Sequence, residues 1–348
     1  MSPRTSQNKA SVHGLAIDTV LTPLCCGCAH RYDFATVHST AKGLFTSIDC
    51  FMYGAEVSSL LLWWGDVMAM RAGVAKVLDA HAKVLHSVQR GETSAETCAY
   101  EAFCACACLA QPLLAANEHD LLRGFLANSM VGLALTDDAV RAGVASFWAG
   151  AFGAWKSEDG HCHTTLDTWL LVVRGLTALV EEDTEASRNT LREWLPPPAE
   201  LLRISEYECA WRAKPLGAAD PALLCARLHG ERLGSWATVA EVAEGVLIIE
   251  QFNPLLRTEA YRLLGRARHA LGEVPAAVAA AECAAAEAAG ARYVWLEMLA
   301  LRDQLLWCET GEAAGVQSRL LAVVERVAAS AEEVAAVLGE SSFLACKK

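Results

Sequence analysis

Apolar residues recur at helical spacing between Leu256 and Leu271. They stand at six positions that share one face of a helix with 3.6 residues per turn: Leu256, Ala260, Leu263, Leu264, Ala267 and Leu271. Charged residues occupy the opposite face: Arg257, Glu259, Arg262, Arg266 and Arg268. The pattern therefore predicts an amphipathic helix with a buried apolar face and a solvated polar face.

Turn signals bound this helix, and a second helix follows it. Asn253-Pro254 is expected to start the first helix, because Asn caps helices well and Pro is tolerated in the first turn. Gly272 is expected to end it, where a left-handed residue is needed. Between Pro275 and Ala289, ten of fifteen residues are Ala. Alanine favours helix strongly and lets helices approach closely, so this second helix is expected to pack between neighbours.

The pair of helices resembles a tetratricopeptide repeat, a helical hairpin with a period of about 34 residues. Six features carry the resemblance: Tyr261, Leu264-Gly265, Gly272, Ala277, Ala281 and Ala284. The family's aromatic residue in the second helix is Ala281 here, and its closing Pro is Gly290. With Gly290-Ala291-Arg292 opening the next unit, the segment is most similar to the long-helix repeats of bacterial transcription activators and signalling ATPases.

Helical runs continue on both sides of this pair. In the C-terminal half they are expected at 164–182, 185–195, 220–233, 236–251, 292–308 and 313–338. Since about three repeats are needed for a stable stack, the prediction is an all-α protein, a TPR-like α-solenoid of stacked antiparallel helical hairpins. The repeat region is placed at 161–340, with a tail at 341–348.

The N-terminal half is also predicted to be helical. A polar tail is expected at 1–12, followed by a helical region over 13–160 that is either a set of degenerate repeats or a separate bundle. Its helices are expected at 44–64, 66–89, 94–115, 118–134 and 137–155. No segment shows the alternation typical of a strand.

Composition and charge exclude several classes of function. The chain has 348 residues, a net charge of −12 and 53% hydrophobic residues. An acidic protein repels nucleic-acid backbones and anionic membranes on average, so neither is expected as a partner. The apolar run Leu44–Trp64 contains Asp49 and Glu56, which are costly at a bilayer centre. This run is therefore expected to be a buried helix.

The cysteines are expected to be reduced. There are 14 of them, the N-terminus has no apolar core of a signal peptide, and free Cys packs as a small hydrophobic residue. A cytoplasmic location is therefore expected. Cys25 and Cys28 have the spacing of a zinc knuckle, and His38 and Cys50 are the candidates for the remaining ligands. An ordinary cysteine-rich segment is favoured, with metal binding or redox chemistry left as alternatives.

The usual catalytic signatures are missing from the sequence. It contains no phosphate-binding loop, dinucleotide-binding glycine motif, H-E-x-x-H, G-x-S-x-G or EF-hand pattern. His161-Cys162-His163 is expected to lie in a loop without a metal-binding role. The chain is therefore predicted not to be an enzyme and to carry no cofactor.

The favoured function is a non-enzymatic scaffold for protein–protein interaction. The resemblance places partners in a concave groove lined by first helices, where the candidate residues are Glu259, Arg262, Arg266 and His269. Two arginines and a histidine suit an acidic peptide or a C-terminal carboxylate. Replacing Arg262 and Arg266 by Ala is expected to weaken partner binding without unfolding the chain. The alternatives are a regulatory arm of a signalling ATPase or transcription regulator, and a metal-binding or enzymatic helical protein that uses the segment from Cys25 to Cys50.

Overall fold

A computed structural model describes most of the chain between residues 51 and 327. The described stretches are 51–92, 106, 108–110, 113–114, 116–127, 142, 154–156, 162–210, 220–251, 253–327, 329 and 334. The predictions for the tail at 1–12, for the segment from Cys25 to Cys50 and for the tail at 341–348 lie outside the described residues.

Helices make up nearly all of the described residues. In chain order they are α1 (Phe51–Trp63), α2 (Val67–Gln89), α3 (His119–Ala127), α4 (Thr165–Val180), α5 (Glu185–Trp194), α6 (Pro198–Ala210), α7 (Pro221–Glu231), α8 (Trp236–Ile249), α9 (Pro254–Ala270), α10 (Val274–Gly290), α11 (Val294–Trp307) and α12 (Thr310–Val324). The predicted all-α class is confirmed at this level. In this part of the chain no helix is both long enough and apolar enough to cross a bilayer.

A small hairpin corrects the expectation that the chain has no strands. Strand β1 (Ala154–Lys156) pairs antiparallel with β2 (Cys162–Thr164), with Trp155 opposite His163. The helix expected over 137–155 therefore does not extend to its predicted end, and Cys162 and His163 lie in a strand instead of a loop. Three residues per strand are too few for a periodic pattern to show in the sequence.

The capping signals of the C-terminal half are confirmed. The Asn253 side chain accepts hydrogen bonds from the backbone N–H groups of Leu255 and Leu256 at the start of α9. Asp220 does the same for Leu223 at the start of α7. Gly272 has a φ of 83° and ends the turn after α9. Such positive φ values cost glycine little, because it has no Cβ.

Helix α6 was not expected from the sequence. Pro196-Pro197-Pro198 indicated a break after α5, but Pro198 is the first residue of α6. Proline fits the first turn of a helix because its missing N–H would lack a helical partner there. The same residues thus end one helix and begin the next.

Each helix from α7 to α11 packs on the next one in sequence, and α9 also contacts both α7 and α11. Helix α11 lies deepest, with every residue from Val294 to Leu301 buried. Helix α1 contacts α11 as well, and Gly65 approaches the Val294 side chain. One apolar cluster therefore joins residues 55–126 to residues 284–334, so the two halves of the chain share a core.

Gly265 allows α9 to pack closely against both α10 and α11. A Cβ atom on Gly265 would lie 2.8 Å from the Trp307 ring of α11 and 3.2 Å from the Ala277 carbonyl oxygen of α10. The Leu-Gly pair that carried part of the repeat resemblance thus has a packing role. Any side chain at this position has to displace Trp307.

We expect Gly265→Ala to lower the free energy of unfolding by about 1–3 kcal/mol, because overpacking outweighs the gain in helix propensity. Urea denaturation of the purified protein measures this change. Gly315→Ala in the middle of α12 is the matched control, since no atom lies within 4 Å of the added Cβ. The free energy of unfolding of the control is expected to rise by about 0.5–1 kcal/mol. Equal stabilisation by both substitutions would contradict the packing role of Gly265.

Candidate functional site

A cavity of about 330 Å³ lies between α7, α9 and α11, beside the turn that precedes α3. Six leucines supply its apolar lining: Leu114, Leu223, Leu224, Leu263, Leu296 and Leu299. Its polar lining consists of Arg227, Arg262, Arg266, Arg302, Glu259, Asn117 and His119. We call it the arginine cavity. Its volume falls in the range of small-molecule sites, roughly 300–1,000 Å³.

The residues from the N-terminal half are held in place by the turn before α3. Asn117 has a φ of 60°, a left-handed conformation that asparagine tolerates better than most residues. Its N–H donates to the Leu114 carbonyl oxygen, and the N–H of Glu118 donates to that of Leu113. The Arg71 guanidinium of α2 donates to Glu118 at 2.5 Å. These bonds position Leu114, Asn117 and His119 at one side of the cavity.

A buried carboxylate organises the arginines next to the cavity. The Asp303 side chain is only 3% exposed. One of its oxygens accepts from Nε and Nη2 of Arg262 at 3.2 and 3.1 Å, and the other from Nε and Nη2 of Arg302 at 3.0 and 2.6 Å. The Nε atom of Arg266 lies 4.0 Å away. Three arginines on two helices therefore surround one carboxylate.

A second carboxylate links the arginines of α7 and α9. Glu231 accepts from Nε of Arg227 at 2.9 Å and from Nη1 of Arg266 at 3.0 Å. Since Arg266 also lies near Asp303, ion pairs connect α7 to α11 through α9. The arginine side chains are thus oriented before any ligand arrives, which lowers the entropy lost on binding.

The local charges favour the ionised form of this network. Burial disfavours the charged form of Asp303, but the attraction of Arg262, Arg266 and Arg302 outweighs it, and the pKa of Asp303 is lowered. Burial lowers the pKa of Arg262 to about 10. That value is still far above neutral pH, so Arg262 and Asp303 are both charged near pH 7.

Three of the four predicted partner-binding residues line the arginine cavity: Glu259, Arg262 and Arg266. The fourth, His269, does not line the cavity. Its ring stacks on Trp307 with centroids 5.3 Å apart and an angle of 18° between the planes. The structure therefore separates His269 from the arginines with which it was grouped.

The polar face of α9 is not solvated as the sequence pattern predicted. The Arg262 side chain is 14% exposed because it pairs with Asp303. On another part of the helix, Arg257 pairs with Glu287 of α10 at 2.8 Å. Charged side chains bury themselves in this way when carboxylates of neighbouring helices pair with them, and the pattern of one helix carries no information about those neighbours.

Sequence reasoning missed two of the four arginines, Arg227 and Arg302. A usable signal was present. Arg227 precedes Arg262 by 35 residues and Arg302 follows Arg266 by 36, close to the period of the suspected repeat. Comparing equivalent positions of successive units would have identified both residues.

The cysteine and histidine candidates yield no metal site among the described residues. No group of three or more His, Cys, Asp or Glu side chains there is arranged to hold an ion. Five cysteines of the described part are free thiols: Cys106, Cys108, Cys225, Cys283 and Cys308. The candidate segment from Cys25 to Cys50 lies outside the described part of the chain, so that alternative stays a hypothesis.

Compared with protein families, with curated proteins and with solved structures, the chain matches none. Its function therefore has to be argued from its own residues and contacts.

We expect Asp303→Asn to lower the free energy of unfolding by about 3–5 kcal/mol at pH 7, because it leaves Arg262 and Arg302, which are 14% and 18% exposed, without their carboxylate. Urea denaturation measures this loss. The control Asp79→Asn removes an exposed pair with Lys83 and is expected to cost less than about 1 kcal/mol. Similar costs for the two variants would contradict the organising role of Asp303.

The same variant tests the pH dependence. The folded-state pKa of Asp303 is lowered, so its stabilisation is present above the unfolded pKa of about 3.9 and disappears as the pH falls through the folded value. The wild type is therefore expected to lose more stability than Asp303→Asn between pH 5 and about pH 3. Denaturation curves at each pH give the difference. Parallel losses in the two proteins would show that Asp303 contributes nothing to acid sensitivity.

Proposed function

We propose that the protein is a non-enzymatic scaffold of stacked antiparallel helical hairpins, similar to tetratricopeptide repeats, whose inner face binds an acidic segment of a protein partner. The observation that carries this proposal is the cluster of four arginines around the arginine cavity. The proposal keeps Glu259, Arg262 and Arg266 as partner-binding residues, adds Arg227 and Arg302, and leaves out His269.

The alternation of the cavity-lining helices supports a stack of hairpins. The lining residues that follow position 200 all come from α7, α9 and α11, and none comes from α8, α10 or α12. In a stack of two-helix units the first helices line one face and the second helices the other. The contacts of α9 with both α7 and α11 fit this arrangement.

The chemistry of the arginines supports an acidic partner. Guanidinium groups bind carboxylates through paired, charge-assisted hydrogen bonds. The whole chain carries a net charge of −12, so a concentration of four arginines at one cavity differs from the average surface. An acidic partner would be repelled elsewhere and attracted here.

The choice of variant has to respect the ion pairs. From the sequence, Arg262→Ala was expected to leave the chain folded. It is now expected to destabilise the fold, because Arg262 pairs with buried Asp303. Arg227 and Arg266 are better targets. Their side chains are 32% and 29% exposed, and both pair with Glu231, which is itself partly hydrated.

Helix α5 offers a control pair of arginines. Arg188 and Arg192 of α5 also share one glutamate, Glu185, and lie outside the arginine cavity. The double variants Arg227→Gln/Arg266→Gln and Arg188→Gln/Arg192→Gln change the net charge equally. Any difference between them therefore reflects the cavity.

We expect the wild type and the α5 double variant to capture the same partner protein. The cavity double variant is expected to capture at least tenfold less of it. Affinity capture with the full chain, followed by quantitative mass spectrometry, identifies candidates. Titration of the purified candidate with each variant then measures the change in Kd. If every candidate binds both double variants equally, the cavity is not the partner site. If no protein binds the wild type reproducibly, the scaffold function is wrong.

A further inference from the structure

We infer that the arginine cavity binds a small amphipathic anion, a carboxylate or phosphate group attached to a compact apolar body. This inference goes beyond the proposed scaffold function, because it requires no protein partner.

The leucines of the cavity define the place of the apolar body. Leu223, Leu224, Leu263, Leu296 and Leu299 come from three different helices, and each is less than 10% exposed. Because the leucines are already almost fully covered, the free energy gained on binding comes mainly from the apolar surface of the ligand that leaves water. A fully hydrated inorganic ion would leave this part of the cavity unused.

Arg262 and Arg227 each have N–H groups that none of the hydrogen bonds described above engages. The bonds described for Arg262 engage Nε and Nη2, and those described for Arg227 engage only Nε. This leaves Nη1 of Arg262 and both terminal nitrogens of Arg227 for a ligand. An oxyanion accepts several such bonds, and charge-assisted bonds are stronger than neutral ones.

The charge balance of the site favours one further negative group. Among the described residues, the guanidinium groups of Arg227, Arg262, Arg266 and Arg302 lie beside the carboxylates of Glu231, Glu259 and Asp303. A monoanion offsets the excess of one positive charge among these seven groups. Since the site is partly shielded from water, that attraction is stronger than it would be on an open surface.

The N-terminal half limits the length of the ligand. Leu114, Asn117 and His119 line the cavity together with α7, α9 and α11, so the inner face is not an open groove at this point. A cavity of about 330 Å³ is at the small end of ligand sites. It has room for a small molecule, or for a single acidic side chain of a protein partner.

Isothermal titration of the purified 348-residue chain tests this inference with defined probes. Octanoate and octyl phosphate carry both the anionic group and the apolar chain. Octanamide carries the apolar chain without the charge. Acetate and inorganic phosphate carry the anionic group without a long apolar chain. We expect one molecule of octanoate or octyl phosphate to bind per chain, at least tenfold more tightly than octanamide. Acetate and phosphate are expected to bind too weakly to detect at millimolar concentration.

Variants locate the binding. Arg227→Gln is expected to weaken octanoate binding about tenfold, since it removes a charged donor at a partly exposed position, while Arg192→Gln on α5 leaves it unchanged. Hydrogen exchange is expected to slow in α7, α9 and α11 on ligand binding. Circular dichroism and thermal melting establish that both variants are folded.

Three results would overturn the inference: no octanoate or octyl phosphate binding at millimolar concentration, octanamide binding as tightly as octanoate, or equal affinities of the Arg227→Gln and Arg192→Gln variants for octanoate. The preferred head group separates the two sources of the ligand, a carboxylic acid or a phosphate ester. Because the titration contains no second protein, its failure and the failure of the scaffold proposal are distinguishable.

Discussion

The pairing of Asp303 with the arginines around it is the interaction on which the arrangement of the C-terminal half depends. A carboxylate that is 3% exposed is tolerated in an apolar core only when cations and hydrogen bonds compensate its lost hydration. Arg262 supplies this compensation from α9 and Arg302 from α11 itself. The pairing therefore links two helices that are not consecutive in the chain, and it orients the side chains that line the arginine cavity.

The same network explains why an apolar stack contains a polar cavity. Helix α11 is buried on almost all sides, which is typical of a helix in the centre of a core. The ion pairs among α7, α9 and α11 hold bulky guanidinium groups at the inner face of these helices, and the leucines around them do not fill the space completely. Oriented hydrogen-bond donors next to apolar side chains are typical of a ligand site. The proposed recognition would thus use the same arginines that stabilise the helix packing, which limits how freely any of them can be replaced.

The N-terminal half takes part in this architecture. The contact of Gly65 with Val294 joins the turn after α1 to α11, and the bond between Arg71 and Glu118 holds the turn that supplies Leu114, Asn117 and His119 to the cavity. The arginine cavity is therefore bounded on one side by the N-terminal half of the same chain. This boundary limits the size of whatever part of a ligand enters the cavity.

Local signals in the sequence determined much of the C-terminal half. The cap Asn253 and the turn at Gly272 were identified correctly, because a capping residue acts within three or four positions of its own place in the chain. Helix α6 and the strand hairpin were missed, since a proline run ends one helix as readily as it starts another and three-residue strands carry no period. Tertiary structure decided three other features: the partial burial of the polar face of α9, the low exposure of Arg262 and the separation of His269 from the arginines. Each depends on which carboxylate or ring lies opposite, and Asp303, Glu231 and Trp307 reach their positions only when helices distant in sequence pack together.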